Sequence, residues 1–257
     1  MHPAHVPPGF AYLLHRRHEA TGADRRTGAS GVLVTSDHAG THLDALCHQA
    51  EDLTLHGARR VDPRLQTSAG FADLGIDTVP PLLARGVLID IAPCDPGRAV
   101  PLAELQAKAQ ARGVEPRAGD VVLVRTGNGA LWNRPAEYLR GAGMAGEVSQ
   151  WLADLRVRAV GADNVAWDWI EGTDPATGTT LPGHVILLVR SGIYILEHLY
   201  LEELARDNVR EFAFICLPLK IMGATASPVR PIAVVTEGGE GKGSVRPAVG
   251  GSSPHTD

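Results

Sequence analysis

The sequence predicts an α/β fold with a mixed sheet, because short β-branched apolar runs recur along it, helical patterns lie between several of them, and Gly or Pro punctuates the joins. The runs are Gly31 to Thr35, Gly86 to Ile91, Asp120 to Thr126, Val157 to Gly161, Gly192 to Leu196, Phe212 to Leu217 and Pro231 to Val235. They read as buried strands. Pro101 to Arg112 reads as a helix, with Pro early in its first turn and Gly113 as its stop, and Gly146 to Leu155 reads as a second helix that ends before a strand. Residues 1–237 are expected to form one domain, since α/β domains often exceed 200 residues. The stretch Gly238 to Asp257 is rich in Gly, Ser and Pro and has no apolar run, so it cannot offset its ordering entropy and reads as a flexible tail. Asp174 to Gly183 reads as an active-site loop, not a domain hinge.

Composition narrows the function. A formal charge of −5 and a pI near 6.1 leave no surplus of Lys and Arg for phosphate backbones, so nucleic acid is not an expected partner and a small-molecule substrate is. Three cysteines, Cys47, Cys94 and Cys216, are odd in number and widely spaced, which suits free thiols in a reducing compartment. No apolar stretch approaches a membrane span and the N-terminus lacks a secretory pattern, so the expected location is the cytoplasm.

The densest set of metal-capable side chains is SDHAGTHLDALCH, which carries His38, His42, Asp44 and His48. Imidazole and carboxylate are the donors that Zn²⁺ and Mn²⁺ take. In an extended segment His42 and Asp44, two apart, share a face. Gly40 permits the bend that returns His38 towards the same point. Spacing alone leaves a helical alternative open, with His38 and His42 one turn apart.

HAGTHLDALCH resembles the His-x-Gly-Thr-His-x-Asp-x-Pro-x-His signature of the cyclase family of metal-dependent hydrolases, which includes kynurenine formamidase and isatin hydrolase. The likeness continues through RGVLIDIA (85–92), GDVVLVRTGN (119–128), VGADN (160–164), HVILL (184–188), ILEHL (195–199) and PLKIMGATASPVRPIAVV (218–235). It implies a barrel-like central sheet flanked by helices, of the swivelling β/β/α kind. It also implies His38, His42, Asp44, His184 and Glu197 as ligands of one or two divalent ions, His48 as acid/base, Phe10 and Tyr12 lining the substrate pocket, and a homodimer. Two positions depart from the signature: Leu46 stands where the family has Pro, and His198 follows Glu197 where the family has Asn.

The implied reaction is hydrolysis of an amide C–N bond, in an aryl formamide or a lactam, by metal-activated water with His48 moving protons. A lactone or ester hydrolase on the same site is the neighbouring alternative. A degenerate site serving as a small-molecule binding module is the alternative outside catalysis. Other signals read as structural. Cys47 beside His48 reads as a buried Cys, and RTGNGA lacks the third glycine of a dinucleotide fingerprint and the Lys of a phosphate loop. Asp163, Asp168 and Glu171 read as solvated loop charges, and Trp167 and Trp169 as core. Thr225, Ser227 and Arg230 lie in a Gly/Pro-rich block that suits a site loop or simple turn chemistry.

Overall fold

The computed structural model describes residues 10–19, 25–236 and 243–247. In chain order the strands used below are β1 (Ala11–Arg16), β2 (Ser30–Val34), β3 (His42–Asp44), β4 (Leu82–Asp90), β5 (Val121–Arg125), β6 (Ala159–Ala162), β7 (Tyr194–Glu197), β8 (Glu211–Cys216), β9 (Ala226–Pro228), β10 (Ile232–Thr236) and β11 (Gly243–Pro247). Eight of them form a curled half-barrel in the order β9-β3-β7-β6-β5-β4-β8-β10, and β11 adds a ninth strand beside β10. β4 to β7 run parallel, whereas β3, β8, β9, β10 and β11 pair antiparallel. The sheet is therefore mixed, as the alternation of strand and helix patterns predicts.

Strand periodicity divides the core into two layers. Val87, Ile89, Val122, Val124, Val160, Ala162 and Ile195 face one side, where Leu105 and Ala109 of α1 (Leu102–Ala111) and Val148 and Leu152 of α2 (Gly146–Asp154) cover them. Leu88, Val121, Leu123, Ala159 and Leu196 face the other side and pack with Leu43, Phe212 and Phe214. A helix that starts at Pro182–His184 and widens into a π-helical turn over Val185–Ser191 adds Leu187 and Leu188 to the first layer. Among the described residues no helix is long and apolar enough to cross a membrane.

One expected strand is placed differently. The apolar run at Gly31 to Thr35 does form β2, but among the described residues β2 pairs only with β1 as a two-stranded arm, and Val32, Leu33 and Val34 are exposed. Apolar periodicity reports an apolar surface without saying what covers it. The expected tail falls largely outside the described residues, apart from β11 at 243–247.

Leu105 lies fully buried where α1 meets the sheet. Leu105→Ala is expected to destabilise the protein by about 2–5 kcal/mol in urea titration, from lost apolar burial and the cavity left behind. A loss below about 1 kcal/mol would contradict this packing.

Candidate metal centre

Sheet register assembles the heart of the site. Leu196 pairs with Leu43 and Glu197 with His42, so on this antiparallel pair His42 and Glu197 are cross-strand neighbours. Asp44 shares their face because it lies two residues beyond His42, and Glu197 shares the helix-covered face of Ile195 for the same reason. The extended reading of this segment holds and the helical alternative falls. His42 Nε2 lies 3.4 Å from Asp44 Oδ1 and 3.5 Å from Glu197 Oε2.

The flanking turns bring in the other histidines. Gly40 sits at φ +65, a left-handed conformation that returns His38 until its Nε2 is 3.4 Å from Asp44 Oδ1. After β3 the chain turns, with the His48 N–H donating to the Ala45 carbonyl at 3.0 Å, and His48 Nδ1 comes to 3.1 Å from His38 Nε2. The 182–191 helix supplies His184, whose Nε2 is 3.3 Å from Glu197 Oε1 and 3.8 Å from Asp44 Oδ2. All six expected metal and acid/base residues therefore converge. Two groups share Asp44 and have donor atoms within 4.8 Å of one another: His38, Asp44 and His48, and His42, Asp44 and Glu197.

The electrostatics favour a cation. Asp44 is fully buried, and among the described residues neither of its oxygens accepts a hydrogen bond. A buried carboxylate left so costs several kcal/mol unless an opposite charge compensates it. Burial disfavours the charged form of His42, yet Asp44 and Glu197 overcome it and lift the imidazole to about 10. Burial likewise opposes charge on His184, and its bonds to Asp168 and Glu197 raise it well above its usual value. Burial also opposes the ionised form of Glu197, and the two histidines hold it well below the usual range. His48 goes the other way. Burial, with His38 and His184 nearby, outweighs the pull of Asp44 and brings it down to about 4. The donor set of imidazoles around two buried carboxylates fits Zn²⁺ or Mn²⁺.

Three ligand candidates have Nδ1 held from outside the cluster. His42 Nδ1 meets the Gly40 carbonyl at 2.8 Å, His38 Nδ1 the Asp37 carboxylate at 3.0 Å, and His184 Nδ1 the Asp168 carboxylate at 2.6 Å. Asp37 also accepts from the Thr225 N–H and hydroxyl, which ties the His38 turn to the segment before β9.

Several expectations need correction. Asp168 and Asp163 are buried rather than solvated, and only Glu171 is exposed as expected. Asp163 accepts the N–H groups of Thr126, Gly127 and Gly129 and the Thr126 hydroxyl, so it shapes the RTGNG turn. Neither residue has a local signature, because only tertiary packing buries them. Phe10 and Tyr12, at the start of the β1–β2 arm, are 54% and 58% exposed, which leaves their expected place at a substrate pocket neither shown nor excluded by burial. Cys47 is buried, and burial pushes its thiol up to about 12, which removes it as a nucleophile. Leu46 takes the family's Pro position inside the helix-side core. His198 is buried with Nδ1 2.7 Å from the Tyr138 hydroxyl and its ring 5.6 Å from that of His42. Trp167 is core, and its backbone N–H donates to Glu197 Oε1 at 2.8 Å.

Comparison with known proteins places these features in context. The family model described as "Putative cyclase" matches residues 5–169. The kynurenine formamidase of Paracidovorax citrulli is 31% identical over 205 residues, spanning 78% of this chain and 77% of that protein. That of Bordetella pertussis is 31% identical over 200 residues, spanning 78% of each. Among solved structures, one described as a novel cyclase superposes with TM-score 0.75 at 26% identity, covering 88% of this chain and 82% of the other. Isatin hydrolase A from Ralstonia solanacearum has the same fold, with TM-score 0.66 at 24% identity over 86% of this chain and 80% of its own.

Metal removal tests the site. With free Zn²⁺ at about 100 times its Kd, the melting temperature is expected to rise by roughly 5–10 °C over the chelated protein, and His42→Ala is expected to abolish the rise. Equal melting of chelated and loaded wild type would contradict a metal centre here.

Proposed function

The chain belongs to the cyclase family, and from that premise we propose that it is a metal-dependent hydrolase opening the C–N bond of a small amide, either an aryl formamide or a lactam. The observation that carries this reading is the convergence of His38, His42, His184, Asp44 and Glu197 around a carboxylate that accepts no hydrogen bond among the described residues. Kynurenine formamidase and isatin hydrolase, as named, are amide-cleaving relatives and support the bond type.

A divalent ion bound among these residues, Zn²⁺ or Mn²⁺, supplies polarisation of a carbonyl and acidification of water. The chain's own residues do the rest. His38, His42, His184, Asp44 and Glu197 would hold the ion, and burial shuts bulk water away from all of them but His38. His48, kept neutral by burial, has a ring nitrogen ready to take a proton from the attacking water. Returning that proton to the departing nitrogen matters because an unprotonated amine leaves poorly. A lactone or ester needs less of that second transfer, so it remains the neighbouring substrate class.

His48 also stands in a ligand-like group with His38 and Asp44, so its role needs a two-part test. His48→Gln is expected to lower kcat by roughly 10²–10⁴-fold on a formamide or lactam, with metal content unchanged. Loss of the metal together with activity would make His48 a ligand. Activity on lactones alone would move the assignment to ester hydrolysis.

A homodimer in the cytoplasm completes the proposal. Phe10, Tyr12, Leu13, Leu14, Val32, Leu33 and Val34 on the arm are 43–61% exposed. They lie on or beside two paired strands, and exposed apolar patches of this kind mark interaction surfaces. A second copy of this chain is the proposed occupant. Light scattering is expected to report a dimer for the wild type and a monomer for the Leu13→Ser/Leu33→Ser variant, and a monomeric wild type would contradict it.

A further inference from the structure

We propose that Asp168 is the positioning residue that fixes His184 in its Nδ1–H tautomer and so presents the Nε2 lone pair to the site; this rests on the metal reading above. The Asp168 side chain is fully buried: Oδ1 accepts from the Gly183 N–H at 2.6 Å, Oδ2 accepts from the His184 N–H at 3.0 Å, and Oδ2 lies 2.6 Å from His184 Nδ1. A carboxylate whose two oxygens already accept backbone N–H groups meets the imidazole as an acceptor too, so Nδ1 donates. Nε2 then carries the lone pair, and it is the atom that faces Glu197 and Asp44. A hydrogen-bonded carboxylate behind a metal-binding imidazole also raises its basicity.

The local backbone is built for this contact. A Cβ at position 183 would stand 2.6 Å from Asp168 Oδ1, 2.6 Å from Ser149 Oγ and 2.7 Å from Trp167 Cδ1, so only glycine lets the chain approach the carboxylate. Asn cannot replace Asp168, because in either flip its NH₂ group meets a donor, the Gly183 N–H or the His184 pair. If His184 then accepted from that NH₂ group, its proton would move to Nε2 and block the lone pair. Asp168 differs from the other two outer partners in being a fully buried side chain that substitution can change. Gly40 offers a carbonyl, and the Asp37 side chain is 33% exposed.

Asp163 is the control. It is an equally buried carboxylate with four donors, yet among the described residues its hydrogen bonds all go to the RTGNG turn and none to a candidate ligand. A purely structural role would make the two behave alike.

The test uses the full chain and Zn²⁺ alone. In chelator competition Asp168→Asn is expected to bind Zn²⁺ about 10–100-fold more weakly than wild type, while Asp163→Asn stays within about twofold even if its melting temperature falls. Unchanged affinity in Asp168→Asn, or the same loss in both variants, would overturn the proposal. Should Asp168→Asn fail to fold, the zinc-loaded wild type decides. Long-range proton–nitrogen spectra of ¹⁵N-histidine-labelled protein are expected to show His184 protonated at Nδ1 and not at Nε2, and the reverse would overturn it. A wild type that takes up no Zn²⁺ sinks the metal reading itself, and the role of Asp168 with it.

Discussion

Two carboxylates buried on one face of the sheet govern this molecule. Asp44 and Glu197 come from neighbouring antiparallel strands and are removed from water with their charges. The desolvation of such groups costs several kcal/mol each, and only nearby positive charge or donors can offset it. The imidazoles that surround them do part of this, as the upward shifts of His42 and His184 record. A divalent ion between the same groups would do it more completely and release those imidazoles to be neutral ligands.

The fold makes this arrangement by parity and register. Because β3 and β7 pair Leu43 with Leu196, the apolar pair joins the inner layer and the polar pair turns to the other side. One slip of register would exchange them. The helix-covered side then receives His184 from the start of the 182–191 helix, and the two turns flanking β3 deliver His38 and His48. Rigid elements thus carry His42, Asp44, Glu197 and His184, while the more exposed His38 and His48 sit on turns, the side from which a substrate can approach.

How much was legible follows from distance along the chain. His38, His42, Asp44 and His48 declare themselves because they are local, and a strand's period alone puts His42 with Asp44. Strands form at all seven apolar runs and helices at both helical patterns, since each depends on local periodicity, although β2 is exposed where the pattern predicts a buried strand. His184 and Glu197 come from remote segments, and no spacing links them to the cluster; only resemblance pointed there. Asp168 and Asp163 were opaque, since an isolated Asp in a loop looks solvated until tertiary packing buries it. The β1–β2 arm misled for a related reason. Its apolar run says that water is disfavoured there, not which surface excludes it.

The most direct test of the account is the metal content of the protein, measured by elemental analysis after incubation with Zn²⁺ or Mn²⁺ and removal of the excess. The account predicts at least one tightly held divalent ion per chain. Protein that retains neither metal, while folded and monodisperse, would contradict it.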